Sequence, residues 1–130
     1  MRIAFLVTNG LFVGLFLMGA AVQFNDPDPE IWIAIYALAA GACGYAFRDS
    51  GHWTSAAAIA VMALLWSLSL LPQVLETGAP FGEIAQSMSA DSPGIELLRE
   101  MLGLLTIAAW MGVLVLRGRR HAAQLSGSER

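Results

Sequence analysis

Two polar clusters interrupt an otherwise apolar chain, and only they have the residue types and spacing to do chemistry. The first holds Gln23, Asn25, Asp26 and Asp28 within a proline-punctuated run, residues 23–30, and the second holds Glu96, Arg99 and Glu100. Two carboxylates beside two amides make a hard, oxygen-rich environment of the kind that suits Ca2+ or Mg2+. Calcium, however, takes at least about six oxygens, and the spacing matches no EF-hand loop. Asp26, Asp28, Glu96 and Glu100 are therefore weak metal candidates. Paired carboxylates also permit general acid–base work, yet no nucleophile with a positioned base, no phosphate loop and no haem ligand pair accompanies them. An enzymatic role is the weaker reading, and no cofactor is implied.

Local backbone chemistry explains part of the first cluster. Asp28-Pro29 reads as an N-cap and first-turn proline opening a helix, and Asp26-Pro27 as the turn that closes the one before. Ser92-Pro93 repeats the opening signal ahead of the second cluster. Glu96, Glu100, Gly103 and Ile107 then recur at helical spacing, with a glycine that permits close helix approach. This stripe is predicted to face other helices. Arg99 lies beside the stripe and reaches another helix more naturally than it reaches Glu96 or Glu100. A guanidinium–carboxylate pair with Asp26 or Asp28 would lock the first loop to the last helix, which gives both clusters a structural purpose.

The elements that carry these clusters follow from composition. The chain has 130 residues, of which 57% are hydrophobic and 13% charged, outside the range of soluble domains. A membrane is its expected solvent. A spanning helix needs about 20 apolar residues, and four such stretches give helices over about 3–22, 30–47, 53–71 and 93–116. Backbone groups in hydrocarbon must be satisfied internally, and the Ala, Leu and Gly content favours helices over barrel strands. The predicted fold is all-α: a single domain, residues 1–116, forming a four-transmembrane-helix up-down bundle, with a polar, frayed tail at 117–130. Within the loop at 72–92, Phe81, Ile84, Ala85 and Met88 share one face of a short interfacial helix that starts at Pro80.

Arginine sets the orientation, because the sequence has no lysine. Arg2, Arg48, Arg117, Arg119, Arg120 and Arg130 fall on one side of the four-span scheme, which the positive-inside rule makes the cytoplasm. Both termini are then cytoplasmic, and the expected location is the plasma (inner) membrane, spanned several times. Asp26, Asp28, Glu30, Glu76, Glu83, Asp91, Glu96 and Glu100 gather on the outer side with Arg99 as its lone base. The net charge of -3 conceals this split. The three arginines at 117–120 read as a topology anchor ahead of an anionic-lipid site. The expected partners are the bilayer and another membrane protein; nothing points to nucleic acid.

Smaller features are assigned by type. Thr8 and Asn9 are predicted to face inward and bond a neighbouring helix. Gly10 and Gly14, and the patch Gly41-Ala42-Cys43-Gly44, permit a homodimer, with packing inside the bundle as the simpler use. Trp32 and Trp53 read as interfacial anchors rather than a stacking platform, and the single cysteine, Cys43, as a packing residue. His52 and His121 are predicted on the inner side, away from the outer cluster. Arg2, the apolar run and Gly19-Ala20-Ala21 imitate a signal peptide, but the run exceeds a usual signal core and is read as the first span.

The order Gln23-Phe24-Asn25-Asp26-Pro27-Asp28-Pro29, Trp32, Tyr36, then Glu96, Arg99-Glu100, Gly103-Leu104 and Ala109-Trp110-Met111 resembles the pattern of transmembrane family 220. The resemblance spans residues 9–111 and implies a small multi-pass membrane protein of no established activity. The expected function is structural or accessory, with an outer polar lock. Cation binding by the outer carboxylates and a membrane enzyme with a carboxylate acid or base stand behind it.

Overall fold

A computed structural model of the chain describes residues 2–25, 28–48, 53–78 and 93–128. It contains four helices: α1 (Arg2–Val22), α2 (Pro29–Tyr45), α3 (Trp53–Thr77) and α4 (Pro93–Ser128), with a single 3-10 turn at Gln23–Asn25 tightening the exit from α1. Proline opens α2 and α4 at the positions expected, and Asp28 is the N-cap residue of α2. Its side chain makes no cap hydrogen bond. α1, α3 and α4 are each long and apolar enough to cross a membrane. At 17 residues, α2 is only about 25 Å long against a hydrocarbon core of about 30 Å. The expected interfacial helix at 80–88 lies outside the described residues, as do Asp26, His52 and Ser92.

Side-chain contacts fix the relative directions of the helices. Asn9 meets Cys43 and Phe16 meets Tyr36, so α1 and α2 run antiparallel. Ser67 meets Met101, and Arg119 lies over Trp53, which does the same for α3 and α4. Trp110 reaches Asn9 and Arg117 reaches Phe5, setting α4 antiparallel to α1. The path is up, down, up, down. α1 packs most closely on α2 and α3 on α4, with α2 joining the two hairpins. One core runs through Phe16, Ala39, Cys43, Ala63, Leu98, Leu104, Ile107 and Met111. Much of the outward surface is large and apolar, including Val7, Leu11, Leu65 and Leu116, as expected where lipid replaces water.

Several expectations change. α3 does not stop before Pro72 but passes through it to Thr77, because proline removes one helical bond, tolerable in spanning helices. The stop comes at Gly78, whose φ of +61° is the left-handed conformation that ends helices. The tail does not fray at 117: α4 continues to Ser128. Its Arg, Ala, Gln and Leu are good helix formers, and ring contacts of Arg117 and Arg119 tie its first turn to α1 and α3. Trp32 is not an interfacial anchor; it is buried and stacked on Trp66, with centroids 4.8 Å apart.

Candidate functional site

Those predicted site residues that the structure describes occupy one end of the bundle. Gln23 is half-buried in the turn after α1, Asp28 is exposed at the start of α2, and on α4 Glu96 and Arg99 are exposed while Glu100 is half-buried. Asn25 closes the 3-10 turn. Asp26 lies outside the described residues. Among the described residues no ion pair joins Arg99 to Asp28, and no group of three His, Cys, Asp or Glu side chains is placed to hold a metal ion. The helical stripe of Glu96, Glu100, Gly103 and Ile107 turns inward along its length: exposed at Glu96, half-buried at Glu100 and Gly103, fully buried at Ile107.

Tyr36 brings the clusters' elements together. Its ring lies against α1, where a Cβ built on Gly19 would stand 2.9 Å from two ring atoms, and its hydroxyl occupies the space that a Cβ on Gly103 of α4 would need. Arg99 and Glu100 are near enough to act on the phenol electrostatically. One side chain of α2 therefore fills two glycine notches on two other helices. Gly103 serves the close approach its position suggested. Gly14, Gly41 and Gly44 do not: a Cβ at any of them meets nothing within 4 Å, and one at Gly10 reaches only the tip of Phe47 at 3.8 Å. The glycines of these patches face outward, while Cys43 and Ala42 of the second patch pack into the bundle.

A second polar junction sits deeper. Asn9 is completely buried; its amide nitrogen donates to the Cys43 carbonyl at 2.7 Å, and its amide oxygen accepts from the Trp110 indole N–H at 3.2 Å. Three helices meet at this amide. The Trp110 ring stacks on Phe12 with centroids 4.0 Å apart and an interplanar angle of 9°. Ser67, the other buried polar residue, donates to the Met101 carbonyl at 3.1 Å, joining α3 to α4. Asn9 was legible as an inward-facing polar residue; Ser67 was not, since a serine in a span often bonds its own helix, as Ser69 does to the Trp66 carbonyl.

Arg99, Gly103, Thr106 and Trp110 follow at intervals that place them on one face of α4. Between the Trp110–Phe12 stack and the polar end, a cavity of about 250 Å³ is lined by Leu15, Phe16, Gly19, Tyr36, Gly103 and Thr106. Thr106 turns its hydroxyl to the Leu102 carbonyl at 2.8 Å. With Met18 and Val22 completing it, the lining is predominantly apolar, and among the described lining residues no nucleophile stands beside a base. The arrangement holds helices at fixed distances.

Comparison with known proteins agrees with the polar pattern. A family model described as transmembrane family 220, helix, matches residues 15–116, which include both polar clusters and the Tyr36 notches. No solved structure matches the chain.

Proposed function

The chain belongs to transmembrane family 220, and from that premise we propose that it is a structural or accessory protein of the plasma membrane, crossing it four times with both termini in the cytoplasm. One observation carries this reading: both buried polar side chains among the described residues, Asn9 and Ser67, are committed to bonds between helices. Catalytic or transport proteins keep polar groups in the membrane for a substrate; here they serve the scaffold. The positive-inside rule supports the orientation, and the turns after α2 that continue to Arg48 bring its length closer to a full span. The outward glycines of α1 and α2 leave a face on which another membrane protein, or a second copy, could pack closely.

At the acidic end the proposed lock is Arg99 closing on Asp26, or on Asp28 after a change of rotamer. The test is a double-mutant cycle on the detergent-solubilised protein, with Arg99→Ala, Asp26→Ala, Asp28→Ala and the corresponding pairs. The expected coupling is about 1 kcal/mol for one of the two aspartates, consistent with a partly exposed ion pair. Additive effects at both positions would remove the lock from the reading.

A further inference from the structure

The helical continuation of α4 builds a pocket at the opposite, basic end. Val113, Arg117, Arg120, His121 and Gln124 recur at intervals that put them on one face of the helix, and with Phe5 of α1 and Leu116 they enclose about 500 Å³. The wall is divided by chemistry. Phe5, Val113 and Leu116 form its hydrocarbon part, while Arg117, Arg120, His121 and Gln124 crowd N–H donors into the rest.

Two further observations say what such a pocket receives. First, Arg117 is held in place: its guanidinium carbon lies 3.8 Å from the centroid of the Phe5 ring, so its planar face is occupied and its edge N–H groups stay available for a bidentate acceptor. Second, the stretches of α1 and α4 that line the pocket carry basic residues and no acidic one. No carboxylate occurs between residues 2 and 25 or between 101 and 128, and Arg2, three residues before Phe5, adds to the same face of α1. Arg119 belongs elsewhere, over Trp53 on α3 at 5.8 Å. The pocket lies where the apolar part of α4 ends, at Leu116, and a helix that crosses the bilayer passes from hydrocarbon to headgroups where its apolar stretch ends. A basic, donor-rich mouth continuous with an apolar wall at that depth matches an anionic amphiphile better than a soluble anion, which has no use for the wall.

We propose that this pocket seats an anionic phospholipid, its headgroup phosphate between Arg117, Arg120 and His121 and the first carbons of one chain along Phe5, Val113 and Leu116. The site requires only that this end of α4 meets the membrane surface, so it stands apart from the Arg99 lock. Lipid retention is measured by native mass spectrometry on the full chain, purified in detergent and offered phosphatidylglycerol or phosphatidylcholine with matched acyl chains. Phosphatidylglycerol is expected to be retained at least about fivefold better, since each arginine near anionic lipid contributes about that factor. Arg120→Gln with His121→Gln is expected to bring the ratio close to one. Arg119→Gln removes the same formal charge as Arg120→Gln from the other side of the helix and is expected to leave it unchanged. Equal retention of both lipids overturns the proposal, as does an equal loss in the Arg119→Gln protein, which would mean diffuse surface charge. Competition by millimolar inorganic phosphate as effective as added phosphatidylglycerol also overturns it. A tryptophan at 113 (Val113→Trp), which fills the apolar wall and keeps every charge, is expected to lower retention of phosphatidylglycerol too; no change in that variant would contradict the pocket.

Discussion

The two ends of the bundle differ in how their charged residues are held. At the acidic end Arg99 and Glu100 lie within electrostatic reach of a tyrosine wedged between glycines of two helices, a contact of side chain against backbone with no spare room. At the basic end Arg117 and Arg119 rest on the rings of Phe5 and Trp53, contacts of side chain against side chain on a helix that extends beyond its apolar part. Backbone notches fix distance because a Cα cannot retreat without moving its helix, whereas long side chains adjust by rotation. The acidic end is thus built for position, and the basic end for adaptable contact.

The strongest way to break this contrast is to fill a notch. Gly103→Ala places a methyl where the Tyr36 hydroxyl lies and is expected to cost about 2–3 kcal/mol in reversible unfolding from detergent, in the range for overpacked cores. Combined with Tyr36→Phe, which removes that hydroxyl, the penalty should fall by about half; an undiminished penalty would show that the notch does not receive the phenol. A smaller effect is expected midway between the ends. Asn9→Ala leaves the Trp110 N–H and the Cys43 carbonyl without their partner and should cost about 1–2 kcal/mol. If the two ends form one cooperative unit, the same variant speeds amide exchange in both Tyr36 and Phe5 turns; acceleration at one end alone would separate them. The smallest effect belongs to the basic end, where Arg117→Gln should change stability by about 0.5 kcal/mol, the worth of an exposed cation–π contact with Phe5. A loss as large as that of Gly103→Ala would erase the contrast.

Much of the architecture was legible because hydrophobic run length and proline position are local signals. Pro29 and Pro93 opened helices where expected, and Asn9 faced inward as a polar residue in hydrocarbon must. What escaped depended on neighbours. Pro72 looks like a terminator from its own chemistry, yet the helix ends at a glycine six residues later. Spacing singled out Gly10 and Gly14 as packing sites, whereas close approach depends on what stands opposite, and Tyr36 stands opposite Gly19 and Gly103. Trp32 carries the signature of an interfacial ring, and only the position of Trp66 makes it a core residue. The outer site was legible as a grouping of elements; the tyrosine that joins them appeared only within the family pattern.

The Asn9 junction also bears on how the protein is made. Its amide bonds a carbonyl 34 residues downstream and an indole 101 residues downstream, and at about 5–20 residues per second the second partner leaves the ribosome about 5–20 s after Asn9 does. For about the last two thirds of that interval, once Cys43 has followed, the amide has only half its hydrogen bonding available, through the α1–α2 hairpin. The last helix therefore arrives to a half-satisfied acceptor, which gives the newly synthesised hairpin a specific reason to recruit α4 in one register over any other apolar segment nearby.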